Sequence, residues 1–154
     1  MIREAKFCEA KKNRYFLKRE WDSSKGLLLY IMLNPSMADD KNDDPTIRRL
    51  INFTKKFNYG GFLVGNIFTK ITPNPKEVDK SRGMTNKNFK EVLKLINKVD
   101  QIVYAWGNSV EEPKILKDLI SNPKCFGKNY NGTPKHPLYL QKNSKLIDYR
   151  SLIN

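Results

Sequence analysis

Two cysteines, one histidine and the absence of any long apolar run set the first limits on this chain of 154 residues. Cys8, Cys125 and His136 are too few for a four-cysteine zinc site or an iron–sulfur cluster. No metal and no other cofactor is therefore expected, and the two thiols read as buried or incidental rather than as a disulfide. No apolar stretch approaches the roughly 20 residues of a membrane-spanning helix. The start, Met1-Ile2-Arg3-Glu4-Ala5-Lys6, lacks the apolar core of a secretory signal. The expectation is a soluble, cytoplasmic protein with no membrane partner. G-x-G-x-x-G and Walker-type loops are also missing, which disfavours dinucleotide and P-loop chemistry. No repeat or linker divides the chain, so residues 1–154 read as a single domain. Acidic residues are scarce beside basic ones, 16 against 29, for a net charge of +13. Such an excess favours an anionic partner such as nucleic acid or a nucleotide. Much of it is lysine in an asparagine-rich chain, which an A/T-rich genome would also produce.

What is present alternates in period. Arg14–Arg19, leading into Trp21, has mixed faces and reads as a strand near an edge. Leu27–Leu33 and Phe62–Ile67 are continuous apolar runs, as expected of strands covered on both faces. Between them Asp44-Pro45 starts a helix, Asp as N-cap and Pro at the first position, with Ile47, Leu50, Ile51, Thr54 and Phe57 on one face. Asn58-Tyr59-Gly60-Gly61 should end it, glycine supplying a positive backbone angle. Thr85 can cap a second helix carrying Phe89, Val92, Leu93 and Ile96, followed by a strand over Gln101–Trp106. A third helix follows Pro113, then a short strand at Lys124–Phe126. This order predicts a three-layer α/β/α sandwich with a mainly parallel, four-stranded sheet and right-handed crossovers.

Polar side chains collect where the apolar runs stop: Asn34-Pro35-Ser36, Asn66 with Phe68, Trp106-Gly107-Asn108, and His136-Pro137. In an open α/β sheet, ligands sit beyond the carboxyl ends of the strands. Each of these residues also has a plainer role open to it. Asn34 can be a strand-end turn residue, Asn66 a buried amide satisfied by backbone, His136 a surface-loop histidine, and Trp106 core packing. Thr46, Arg48 and Arg49 fall in the first turn of the helix begun by Asp44, where the dipole disfavours cations. Those arginines answer either a phosphate at the helix amides or the carboxylates of Asp39, Asp40, Asp43 and Asp44. The four aspartates could instead hold Mg²⁺, although a solvated loop is the simpler reading.

These islands resemble a bacterial and phage domain-of-unknown-function family, number 1643. The resemblance rests on Arg14 to Trp21, Leu33 to Ser36, Asp43 to Arg49, Gly65 to Phe68, Ala105 to Gly107 and His136 to Leu138. More distantly, four of them are similar in order to the uracil-DNA glycosylase superfamily. That resemblance implies a uracil-DNA glycosylase-like sheet. It also implies that Asn34 positions a hydrolytic water, Asn66 reads a base edge, Trp106-Gly107 closes a strand, and His136 stabilises the departing base. Three departures, a Leu138-Tyr139 continuation in place of Ser-Pro, the lack of a wedge loop and Asn34 as the motif-one residue, point away from duplex DNA.

The residue types suit N-glycosidic hydrolysis, which passes through an oxocarbenium-like sugar. It needs a held water and a donor to the base oxygen that gains charge. Asn34 can orient water but cannot accept a proton, so Asp40, Asp43 or Asp44 is a candidate base. Catalytic candidates are thus Asn34, His136 and Asp44. Binding candidates are Pro35, Ser36, Thr46, Arg48, Arg49, Asn66, Phe68, Trp106, Gly107 and Asn108. The expected partner is a nucleotide or single-stranded nucleic acid. A non-catalytic nucleotide-binding protein and a basic nucleic-acid-binding module are the alternatives.

Overall fold

In the computed structural model, which describes residues 1–151, seven strands form one mixed sheet. They are β1 (Ile2–Phe7), β2 (Arg14–Glu20), β3 (Leu27–Met32), β4 (Gly61–Asn66), β5 (Gln101–Tyr104), β6 (Lys124–Cys125) and β7 (Ile147–Asp148), in the spatial order β1-β2-β4-β3-β5-β6-β7. β3 lies between β4 and β5 and runs parallel to both, and β6 continues parallel beyond β5. The outer pairings, β1 with β2, β2 with β4 and β6 with β7, are antiparallel. The fold is therefore α/β, but with seven strands where four were expected. β1 is mostly exposed and is held by backbone pairing to β2, so it carries no apolar alternation to betray it. β7 is two residues long, too short for any period.

Helices α1 (Pro45–Lys56), α2 (Asn86–Ile96) and α3 (Lys114–Leu119) cover both faces. Alternation along β3 divides the core in two. Leu28, Tyr30 and Met32 pack with Ile47, Leu50 and Phe53 of α1, while Leu29, Ile31 and Leu33 pack with Val92 and Leu95 of α2 and Leu116 of α3. Gly65 permits the close approach of α2, since a Cβ there would lie 3.3 Å from Leu95 and 3.4 Å from Val92. Among the described residues no helix is long and apolar enough to cross a membrane.

Both long helices begin where their caps predict. Asp44 accepts from Ile47 N at 2.9 Å with Pro45 in the first turn, and Thr85 Oγ1 accepts from Asn88 N at 3.1 Å. The end of α1 differs from expectation. Asn58, not glycine, takes the left-handed angle (φ 63°). Gly60 serves a close approach instead, because a Cβ there would meet the Asp22 carbonyl oxygen at 1.8 Å.

In the acidic loop between β3 and α1 the Asp43 carboxylate pairs with arginines of the β1–β2 hairpin rather than with Arg48 or Arg49. Arg19, with no exposed surface, donates to the Lys18, Asp39 and Asn42 carbonyls and, through Nε, to Asp43 Oδ1 at 2.8 Å. Arg3 donates to the same carboxylate oxygen at 2.8 Å. Burial raises the Asp43 pKa, but the hydrogen bonds from Arg19 and Arg3 outweigh it and hold the carboxyl below its ordinary value. Asp39 spends its Oδ1 on the Lys41 and Asn42 backbone N–H groups. Replacing Arg19 with Met should destabilise the protein by about 2–4 kcal/mol, because loop carbonyls and a half-enclosed carboxylate lose their donor. Arg3→Met, at a partly exposed pair, should cost less than about 1 kcal/mol. Urea titrations of both variants test this ordering, and equal losses would refute the central place given to Arg19.

Candidate functional site

The loops that follow β3, β4 and β5, together with residues 136–139 and the first turn of α1, enclose a cavity of about 690 Å³ on the α1 side of the sheet. It opens beyond the carboxyl ends of the parallel strands, where the change of direction between neighbouring crossovers leaves a crevice. Asn34, Ser36, Asp44, Thr46 and Asn66 line it, as do Trp106, Gly107, Asn108 and His136. Nine of the thirteen residues singled out from sequence thus meet in one cavity.

Asn66 is the most telling of them. It is the last residue of β4, 1% exposed, and alternation places it with Phe62 and Val64 on the α1 face. Neither its Nδ2 nor its Oδ1 has a hydrogen-bond partner. Its backbone is held from the opposite face: Asn88 Nδ2, from the first turn of α2, donates to the Asn66 carbonyl at 2.7 Å and the Ile67 carbonyl at 3.0 Å. The strand end is rigidly placed while its side-chain amide is left unmet, at a penalty of about 1–3 kcal/mol per buried group.

Asn34 is half committed. Its Nδ2 donates to the carbonyls of Pro35 and Thr72, both at 3.0 Å, which clamps the loop after β4 against the end of β3. That leaves Oδ1 as an acceptor for a ligand or water. Asp44 has both carboxylate oxygens engaged by backbone N–H groups, Oδ1 by Ile47 and Oδ2 by Ala38.

His136 begins a tight turn over Pro137–Tyr139, and its Nδ1 accepts from Leu138 N at 3.1 Å. An acceptor at Nδ1 places the proton of the neutral ring on Nε2. Burial lowers the imidazole pKa below 6.5, against an opposing pull from the Asp44 carboxylate. Gly107 (φ 88°) lets the chain turn after Trp106, and a Cβ there would lie 3.8 Å from that of His136. Trp106 is buried, donates Nε1 to the Val110 carbonyl at 3.0 Å and packs on Tyr104. Its role is packing beneath the cavity. Asn108 is exposed, and its carbonyl accepts from Asn131.

Four expected binding residues are not brought to the cavity. Pro35 is buried, its carbonyl accepting from Thr72 N and from Asn34. Phe68 packs into the α2-side core. Arg48 is exposed and donates to the Asp43 carbonyl. Arg49 lies over the Phe53 ring and donates to the Pro137 carbonyl at 3.3 Å, supporting the His136 turn from behind. Nor do the loop aspartates form a metal site. Asp39, Asp43 and Asp44 are engaged as described, and no cluster of His, Cys, Asp or Glu among the described residues suits a metal ion. Sequence reasoning missed Arg14, Lys76, Lys80 and Tyr139, which also line the cavity. Arg14 was hidden inside a strand pattern, and the lysines inside an undifferentiated basic stretch.

The chain belongs to the family described as a protein of unknown function (DUF1643), whose model matches residues 14–138. No curated protein and no solved structure matches the chain significantly.

If Asn66 is kept for a ligand, the near-isosteric Asn66→Leu should raise the stability of the free protein by about 1 kcal/mol or more, by removing an unmet buried amide. A loss of stability in denaturant titration would assign Asn66 to the scaffold. For His136, NMR of the ring nitrogens should show the Nε2–H tautomer and a titration below pH 6.5. Because the folded value is depressed, the stability tied to neutral His136 is full above about pH 6.5 and is lost as pH falls through the folded value. A His136→Gln variant should flatten that part of the pH–stability curve.

Proposed function

We propose that this family member recognises a nucleobase in the cavity and hydrolyses the N-glycosidic bond of a nucleotide or of single-stranded nucleic acid, in the manner of the uracil-DNA glycosylase superfamily. The observation that carries the proposal is the unpartnered carboxamide of Asn66. A planar acceptor beside a donor complements the lactam edge of a base, where one carbonyl and one N–H lie side by side. Partners that the protein does not supply are then supplied by the ligand. The volume suits one small molecule. The order of the four parallel strands, β4-β3-β5-β6, the positions of Asn34-Pro35, Asn66 and Trp106-Gly107 at or just past the ends of β3, β4 and β5, and that of His136-Pro137 on the loop after β6 add support from fold analogy.

In this reaction the bond between the sugar carbon and the base nitrogen breaks, its electron pair leaves with the base, and water adds to the sugar. His136, neutral with its proton on Nε2, would donate a hydrogen bond to the base oxygen that gains charge. Asn34 Oδ1 would hold the water. Asp44 is the one carboxylate in the lining, its two oxygens held in place by the backbone N–H groups of Ile47 and Ala38. It would stabilise the cationic sugar and receive the proton of the attacking water.

The engagement of Asp44 favours a second reading, a non-catalytic nucleotide-binding protein. Both oxygens of Asp44 are already engaged by backbone N–H groups, which leaves less room for an attacking water, and Asn34 cannot take a proton at all. Base release from nucleosides, nucleotides and single-stranded DNA, followed by chromatography, separates the two. Asn34→Ala should abolish release with affinity nearly unchanged, and His136→Ala should slow it by roughly 10²–10³-fold. Tight binding with no release from any substrate would leave the binding protein as the function.

A further inference from the structure

Arg14, the first residue of β2, lines the same cavity and is 2% exposed. Its Nη1 donates to the Ala38 carbonyl at 2.8 Å, while Nε is buried without a partner. Unlike Arg19 on the same strand, it forms no ion pair among the described residues. Asp44 attracts it, but the oxygens of that carboxylate are occupied by Ile47 N and Ala38 N. Burial pushes the Arg14 pKa down to about 10 against this pull, so the side chain is charged at neutral pH. A desolvated guanidinium with an unmet donor is an anion site awaiting its anion. Its planar fork matches the oxygens of a phosphate.

We propose that Arg14 binds a terminal phosphate, so that the ligand is a nucleotide phosphomonoester rather than an internal segment of a nucleic-acid strand. The proposal rests on the nucleobase reading of Asn66 and adds the other end of the ligand. The enclosure of Arg14 selects the terminal form. An internal phosphodiester must lead chain away on two sides, and a guanidinium with 2% of its surface exposed is approached from the cavity alone. Lys76, exposed at the rim, and Lys80, whose Nζ is held by the Pro75 carbonyl at 2.6 Å, add positive charge to the approach. Arg14 thereby takes the role that position in the chain suggested for Arg48 and Arg49.

Titration calorimetry tests this with a set of nucleosides, their 5′- and 3′-monophosphates, dinucleoside monophosphates without a terminal phosphate, and the same dinucleotides phosphorylated at the 5′ end. A monophosphate should bind about tenfold or more tightly than both its nucleoside and the unphosphorylated dinucleotide. Arg14→Met should erase that preference while nucleoside affinity persists, which also reports that the variant is folded. Arg14→Lys, keeping charge without the fork, should retain part of it and serves where the Met variant does not fold. If the phosphorylated dinucleotide matches the mononucleotide, the source of the phosphate is a strand end; if it binds more weakly, the source is a free nucleotide. Unphosphorylated dinucleotides binding as tightly as monophosphates, or an Arg14→Met protein that keeps the preference, would overturn the phosphate site and leave the nucleobase reading intact. Failure of every compound to bind would overturn both.

Discussion

A guanidinium with no access to water must find hydrogen-bond acceptors for its donors and a negative charge for its own, and Arg19 finds both in the loop between β3 and α1. That loop has no regular structure, so its path is set by where its carbonyls and carboxylates are needed. By converging on Arg19, Asp39, Asn42 and Asp43 bring the next residue, Asp44, to the place where it can cap α1 and contact Ala38 N. The first turn of α1 then forms one wall of the cavity. The wall is thus held by a charge buried on a strand that belongs to neither the loop nor the helix.

β2 carries a second buried arginine, and the contrast between the two is informative. The donors of Arg19 are met by three carbonyls and a carboxylate, whereas Arg14 has one carbonyl and an idle Nε. The same asymmetry extends across the molecule. Among the described residues, the buried side-chain atoms without partners belong to Arg14, Arg49, Asn66 and Asn88. Two of these residues line the cavity, Asn88 grips the backbone of Asn66, and Arg49 supports the turn after His136. By contrast, the polar cluster under α3 is closed: Tyr104 donates to Glu112, which Arg150 grips with two hydrogen bonds of 2.8 Å. Local rules of satisfaction are kept in the scaffold and relaxed around one cavity, the pattern expected of a binding site.

The elements most legible in the sequence were those whose signal is local. Caps at Asp44 and Thr85 lie within four residues of the groups they satisfy, and the apolar runs of β3 and β4 announce two covered faces. The site was legible in part for the same reason. Asn34, Asn66, Trp106 and His136 stand where an apolar run or a loop ends, and strand ends share one side of a parallel sheet. β1 escaped because its stabilisation is backbone pairing on an exposed edge, which leaves no mark on side-chain choice.

Sequence by itself determined the α/β class, the start of each long helix, the family, and the side of the sheet on which polar residues would gather. Each follows from periodicity, capping or motif, which act over a few residues. Only the tertiary structure decided which charges meet. The Asp43 carboxylate pairs with Arg19 and Arg3 rather than Arg48, Arg14 rather than Arg49 reaches the cavity, and the Asn66 side-chain amide is left without a protein partner. The reason is that one buried charge or amide satisfies another through space, and the distance that matters is set by strand order and loop path, not by separation along the chain.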